Sequence, residues 1–203
     1  LPLNEPIRNP QNTIPMTTPY DRDALIELIR REALQTGTFT LASGKTASYY
    51  LDCRLVTLHP QGANLIAAGM LERIDAMSDK IDAVGGMAIG ADPITAAIVT
   101  HEGLRGGSMR GFMVRKEPKG HGGGRQVEGP VKAGDSVVIV EDVITSGGSA
   151  IQAIRAARAF GLEVRGVVAI IDRLAGGSEA FAAEGLQLQT LLTIRDFGLQ
   201  PDA

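Results

Sequence analysis

Cysteine is almost absent: Cys53 is the only one in 203 residues. That excludes an intramolecular disulfide framework, and one cysteine beside three scattered histidines gives no zinc-ligand spacing. A reducing cytoplasm is the simplest home for such a chain. No apolar run approaches the roughly 18 residues that a membrane helix needs, so no membrane association is expected. A basic excess is also missing. The formal net charge is −3, whereas nucleic-acid binders usually carry a Lys/Arg surplus, so no nucleic-acid partner is expected. The opening LPLNEPIRNPQNTIP lacks the apolar core of a secretory signal. Residues 1–19 read as a flexible leader, either an expression remnant or an upstream extension, with Met16 a natural start for the compact part. The pattern GxxxxGK[ST] does not occur, which argues against an ordinary P-loop NTPase.

What is present is the composition of a globular protein, 44% hydrophobic and 21% charged, long enough for one domain with a real core. We expect that domain over residues 20–203, without internal repeats. From Asp21 the apolar residues Leu25, Leu28 and Ile29 share a helical face, with acids early and Arg30 and Arg31 late, as the helix dipole prefers. Residues 37–57 alternate turn and β-rich segments and read as a hairpin or irregular strands. Pro60 opens a helix. From there strands and helices alternate. Strands are expected at 81–87, 111–116, 136–142, 164–173 and 188–198, helices at 92–104, 149–161 and 178–185, and a long loop at 117–129. The middle strands are continuous apolar runs, as in a parallel sheet covered on both faces. Ligands of such sheets sit at the carboxyl ends of the strands.

One strand ends in an unexpected way. In VVIVEDVITSGGSA, residues 137–150, a buried run meets Glu141 and Asp142 and then a loop of hydroxyls and glycines. Glycines let backbone N–H groups approach an anion, hydroxyls add donors, and the next helix contributes its positive end. The bland alternative is a Gly-rich turn with Ser149 as helix N-cap. Neighbouring residues on a strand point to opposite sides. The two acids could accept hydrogen bonds from sugar hydroxyls or hold Mg²⁺ near phosphates; alternatively they merely end a strand. Acids joined to an anion loop suit a ligand that is both polyol and phosphate, and a phosphorylated ribose fits.

This stretch resembles the phosphoribosyl-diphosphate (PRPP) signature of type I phosphoribosyltransferases. The resemblance implies their fold, a mainly parallel central sheet flanked by helices. It also implies a small N-terminal hood, contributed mainly by residues 20–58 and the C-terminal segment. By that resemblance Glu141 and Asp142 hold the ribose 2′- and 3′-hydroxyls. The PRPP-binding run is then Glu141, Asp142, Val143, Ile144, Thr145, Ser146, Gly147, Gly148 and Ser149, with Thr145 to Ser149 around the 5′-phosphate. The segment RKEPKGHGGG, residues 115–124, is similar to the catalytic loop Arg-Lys-x-x-Lys-x-His-Gly of orotate phosphoribosyltransferases, matching at Arg115, Lys116, Lys119 and His121. On its residues alone it would pass for a solvated charged loop. In that family the loop closes partly over a neighbouring subunit's site, which implies a homodimer with shared active sites.

Two further segments match. LASGKTASYYLDCR, residues 41–54, resembles the family's N-terminal segment, placing Lys45 near the orotate or the diphosphate and Tyr49 and Tyr50 beside the base; plain strand packing is the alternative for both tyrosines. Arg173, after Asp172, matches the arginine that reads the pyrimidine, and Thr145 also borders the base; a surface ion pair is the alternative for Arg173. GGMAIGADP, residues 85–93, stands where the diphosphate-binding loop belongs, at Ala88, Ile89, Gly90 and Ala91. Some orotate enzymes carry a lysine there, and this chain has none. Asp92 either reaches Mg²⁺ through water or caps the following helix, and the cap is the preferred reading. His59, before Pro60, and His101, near a helix end where a cation suits the dipole, read as structural. The implied reaction joins orotate to PRPP, giving orotidine 5′-monophosphate and diphosphate in pyrimidine (UMP) biosynthesis. Mg²⁺ is bound mainly through PRPP and water, with no direct protein ligand. The rivals are a purine or uracil phosphoribosyltransferase and a non-catalytic regulator that senses PRPP.

Overall fold

The computed structural model describes residues 19–40, 46–117 and 125–201. Helix α1 (Arg22–Glu32) starts where Asp21 accepts a hydrogen bond from the Ala24 N–H at 3.0 Å, and it buries Leu25, Ile26, Leu28 and Ile29. An antiparallel hairpin follows, β1 (Leu34–Thr40) with β2 (Thr46–Leu51), forming its own two-stranded sheet. The sequence gives no warning of the next element, the single turn α2 (Arg54–Thr57). Its cause is local: the Asp52 carboxylate accepts from the Arg54 N–H at 3.1 Å and turns the chain.

The chain continues through α3 (Pro60–Asp75), β3 (Ala83–Met87), α4 (Ala91–Leu104), β4 (Arg110–Val114), β5 (Val127–Glu128), β6 (Ser136–Ile144), α5 (Gly148–Phe160), β7 (Glu163–Asp172), α6 (Gly177–Ala183) and β8 (Leu188–Thr193). The strands β3 to β8 form the main sheet in the order β5-β4-β3-β6-β7-β8, parallel except where β5 pairs antiparallel with β4. The mainly parallel α/β sheet expected from the apolar runs is present. Alternation along β6 sorts its side chains between two layers. Val138 and Val140 join α1, α3 and α4; Val137 and Ile139 join α5 and Phe181 of α6.

Three boundaries differ from expectation. β4 stops at Val114, and part of the expected loop 117–129 is the short strand β5. The last strand ends at Thr193 because Thr193 and Asp196 form a capping box that starts a 3₁₀ turn, Ile194–Phe197. Asp196 also receives Arg22 at 2.7 Å, and its carbonyl receives Arg30 at 2.9 Å, so the C-terminal turn is tied to α1. Most important, β6 does not end at Asp142 but runs on to Ile144 beside β7, after its pairing with β3 has stopped at Ile139.

That last difference positions the site. From β3 the chain crosses to β4 on one side, and from β6 it crosses to β7 on the other. The gap between β3 and β6 is therefore the topological switch point, where an open α/β sheet leaves a crevice at the carboxyl ends of its strands. Glu141 and Asp142 stand in it.

Candidate active site

The two acids do not obey strand alternation. Glu141 Oε1 and both Asp142 Oδ atoms lie 3.6–3.8 Å from the point where a Cβ on Gly90 would sit. The backbone shows why. Val143 packs with the α3/α4 layer and Ile144 with the α5 layer, the reverse of the order that Val138 and Val140 predict. The carboxylates also turn back on the main chain: Glu141 Oε1 accepts from the Asp142 N–H at 3.3 Å, and Asp142 Oδ1 from the Val143 N–H at 2.7 Å. Glu141 is buried, and its Oε2 has no hydrogen-bond partner. Burial first, and the Asp142 charge second, raise its pKa well above the ordinary glutamate value. Two converging acids, one with an unused oxygen, are poised to accept from a pair of hydroxyls.

After them the chain forms a cavity of about 300 Å³ lined by Glu141 to Ala150. Helix α5 starts at Gly148 on a left-handed N-cap, Gly147 at φ 79°, and no side chain caps it. Ser149 is already helical, so the alternative of a Ser149 cap is ruled out. The first N–H groups of a helix have no intrahelical acceptor, and here Thr145, Ser146, Gly148 and Ser149 are exposed around them. An anion is a suitable partner for such groups. Helix α6 supports this loop from below. A Cβ on Gly147 would lie 2.9 Å from the ring of fully buried Phe181, and one on Gly177 would lie 2.2 Å from Ile144 Cγ2 and 3.0 Å from the Thr145 carbonyl. Phe181 and Gly177 stood outside the expected site. The pair Gly176-Gly177 ahead of a short helix was their sequence signal, parallel to Gly147-Gly148 ahead of α5.

Across the crevice, Ala88 to Ala91 connect β3 to α4. The Ala88–Ile89 peptide is cis, the Ala88 N–H donates to the Val114 carbonyl at 2.8 Å, and Ile89 is 75% exposed. The expectation that Asp92 caps α4 is wrong. The N-cap is Gly90, no side chain bonds there, and Asp92 Oδ1 is buried without a partner. Burial raises the Asp92 pKa. The thiol of Cys53 is buried, and burial pushes its pKa far up, with the Asp142 and Asp52 charges adding to the rise. That thiol is a packing group, not a nucleophile.

On β2 Tyr49 is buried and Tyr50 is exposed. The Tyr49 hydroxyl accepts from Arg173 Nε at 2.8 Å, and the guanidinium carbon lies 4.8 Å from the ring centroid. Two residues expected at the base therefore meet across 124 positions of sequence. Tyr50 instead leans on Phe39, with ring centroids 6.0 Å apart. Arg173 is delivered by a tight turn: its N–H donates to the Ile144 carbonyl at 2.8 Å, the Leu174 N–H donates to Asp172 Oδ1 at 2.8 Å, and Leu174 takes φ 56°.

Of the expected catalytic loop, Arg115 and Lys116 are described. Arg115 pairs main chain to main chain with Gln126, N–H to carbonyl at 2.8 Å, and its guanidinium lies 3.9 Å from Glu128. Lys119 and His121 lie outside the described residues, as do Lys45 and residues 1–18. His101 is not a cation serving the helix dipole. It is buried, desolvation lowers its pKa, and its Nε2 meets Asn64 Oδ1 at 3.0 Å. His59 precedes Pro60 at the start of α3, and its Nδ1 is buried without a partner.

Among the described residues no cluster of three His, Cys, Asp or Glu could enclose a metal ion. A hydrated Mg²⁺ held mainly by a ligand's own oxygens asks for less, one or two carboxylates. Glu141, whose Oε2 has no partner, and Asp142 fit that need. No helix of the described residues is long and apolar enough to cross a membrane.

Comparison with known proteins agrees with this geometry. The family described as phosphoribosyl transferase domain matches residues 56–186. The chain is 66% identical over 185 residues to an orotate phosphoribosyltransferase of Rhodopirellula baltica, covering 89% of this chain and 96% of that one. It is 41% identical over 179 residues to one from Aquifex aeolicus, covering 87% and 97%. A crystal structure of the Mycobacterium tuberculosis orotate phosphoribosyltransferase in complex with PRPP superposes with TM-score 0.75 at 37% identity, over 88% of this chain and 99% of that one.

Proposed function

Since the chain belongs to the phosphoribosyltransferase family, and within it to the orotate phosphoribosyltransferases, we propose that it transfers the 5-phosphoribosyl group of PRPP to orotate. The products are orotidine 5′-monophosphate and diphosphate, a step of pyrimidine (UMP) biosynthesis. One observation carries the reading: two converging carboxylates stand next to an uncapped helix start ringed by hydroxyls, at the switch point of the sheet.

In this reading Glu141 and Asp142 hold the ribose 2′- and 3′-hydroxyls. The 5′-phosphate sits on the N–H groups and hydroxyls of Thr145 to Ser149, with Val143 and Ile144 shaping the approach. Arg173, oriented by Tyr49, presents N–H donors to the orotate carboxylate and carbonyls, as a guanidinium fork suits; Lys45, Tyr50 and Thr145 complete the base site. Ala88 to Ala91 offer backbone N–H groups to the diphosphate. Orotate's ring nitrogen attacks the anomeric carbon as the bond to diphosphate breaks, and the ring N–H proton passes to solvent. Bond breaking runs ahead, so positive charge builds on the sugar, and the nearby carboxylates favour it. Arg115, Lys116 and Lys119 stabilise the leaving diphosphate, and His121 donates a hydrogen bond or proton to it. Closure of their loop keeps water from PRPP. Mg²⁺, when bound, neutralises diphosphate charge. The working form is a cytoplasmic homodimer in which the basic loop of one subunit serves its partner's site.

The test is PRPP- and Mg²⁺-dependent loss of orotate absorbance, run beside adenine, guanine, hypoxanthine and uracil. Orotate is expected to be consumed and the others spared. Consumption of another base in preference would refute the orotate assignment.

A further inference from the structure

Tyr49 stands in the wrong place for a residue that touches a ligand. Likeness to the family sets it beside the base, yet it is 2% exposed and belongs to the core that α1 and α3 share. On β2 the side chain that reaches solvent is its neighbour, Tyr50. A ring packed that fully would serve as well as phenylalanine, and a tyrosine hydroxyl that is buried usually has a hydrogen-bond partner. Here the partner is a cation from the far end of the chain. Arg173 Nε donates to the hydroxyl at 2.8 Å, and the guanidinium carbon lies 4.8 Å from the ring centroid.

Arg173 is thereby fixed at both ends. Its main-chain N–H donates to the Ile144 carbonyl at 2.8 Å, and Ile144 lines the cavity of Glu141 to Ala150. The side chain thus sets out one hydrogen bond from the cavity wall. Leu174 closes the turn on Asp172 Oδ1 at 2.8 Å and packs against the same core cluster as Tyr49. An arginine loses much rotamer freedom when a ligand orders it, and a side chain ordered in advance binds without that loss. The rigid ring of Tyr49 supplies that order.

We propose that Tyr49 is a positioning residue for base recognition: its hydroxyl pre-orders Arg173, so that the Nη groups meet the carboxylate and carbonyl of an anionic pyrimidine, and Tyr49 itself does not touch the base. This rests on the reading of the site as one for orotate. Recognition of the base is then shared by two residues, Arg173 giving charge and Tyr49 giving direction. Ribose and phosphate, held by residues 141–149, owe nothing to either.

Tyr49→Phe keeps the ring and removes only the hydroxyl. It would be compared with the parent protein, Arg173→Ala and the double variant by calorimetric titration of orotidine 5′-monophosphate and of ribose 5-phosphate, which lacks the base. Tyr49→Phe is expected to weaken orotidine 5′-monophosphate roughly 10-fold, the low end for a hydrogen bond to a charged group, and to leave ribose 5-phosphate unchanged. In the double variant orotidine 5′-monophosphate should bind as it does to Arg173→Ala alone, since a residue acting through Arg173 has nothing left to orient. Unchanged orotidine 5′-monophosphate affinity in Tyr49→Phe would overturn the proposal. Equal losses for the two ligands would do so too, as the mark of a structural role, and additive losses in the double variant would show Tyr49 touching the base directly. A parent protein that gains no affinity from the base would refute the orotate reading itself, before any variant is compared, and this proposal with it.

Discussion

Two loops face each other across the gap between β3 and β6, and each leads into a helix whose N-cap is a glycine that no side chain assists. Beyond that they differ in every respect that matters to an anion. The loop after β6 offers three hydroxyls, two glycines and a left-handed turn packed onto Phe181. The loop after β3 offers an exposed isoleucine, two alanines and an orphaned carboxylate at Asp92. In the proposed reading one loop is a phosphate site made of backbone shape, and the other is a diphosphate seat whose charge arrives from elsewhere in the chain. A sugar phosphate that enters and leaves intact suits the first; a group that departs with growing negative charge suits the second. Variants of the imported charge should therefore strike turnover, and variants of the built-in shape should strike affinity.

The largest effect is expected at Lys119. Lys119→Ala should lower kcat at least ~10²-fold, the scale seen when one preorganised charge-stabilising donor is lost, with melting temperature and PRPP affinity nearly unchanged. Near-normal turnover would break the contrast at once. If the loop serves the partner's site, mixing Lys119→Ala chains with chains carrying Asp142→Asn should restore activity in hybrid dimers, each of which keeps one intact site. No recovery after subunit exchange is verified by mass spectrometry would place the loop over its own subunit.

The built-in side is tested at Gly147. Alanine there must accept φ 79° and bring a methyl group to 2.9 Å from the Phe181 ring. The left-handed conformation alone costs about 1–2 kcal/mol for a residue with a Cβ. We expect Gly147→Ala to raise the PRPP KM roughly 5- to 30-fold, that cost expressed as affinity, while kcat falls much less. A variant whose kcat falls as far as its affinity would show that the loop shapes the transition state as well, and the two loops would cease to be opposites.

The difference between the loops also explains what could be read from the sequence. The sheet was legible because its strands are unbroken apolar runs, and the phosphate loop because glycine and hydroxyl density has few other uses after a buried strand. Arg115, Lys116 and Arg173 stood out only through likeness to a family pattern. Contacts between distant segments were not legible. Nothing near Tyr49 announces Arg173, nothing near Gly147 announces Phe181, and Asp52 became an anchor for Arg54 only once the chain turned at Cys53. Local rules also misled. Strand alternation sent Glu141 and Asp142 to opposite faces, but their carboxylates bond the following N–H groups and the strand reverses its order there. The same kind of rule made Asp92 a cap and His101 a cation, and burial decided against both.

The smallest effect concerns stability, and it isolates the acid pair from the loops around it. The Glu141 carboxyl is raised above its unfolded value, chiefly by burial and then by Asp142. The folded protein without substrate therefore holds a proton that the unfolded chain gives up near the ordinary glutamate pKa. Stability from this group is complete below that unfolded value and is lost as pH rises through the elevated folded one, at most about 1.4 kcal/mol per pH unit for one proton. Glu141→Gln carries no such proton, so its melting temperature should decline less between mildly acidic and neutral pH than that of the parent protein. An identical decline in both would mean that Glu141 is already ionised in the empty site. PRPP acts in the opposite sense, since hydroxyls that donate to the pair favour its ionised form. In the parent, its affinity should rise over the same pH interval, whereas in Glu141→Gln it should be weaker and flatter.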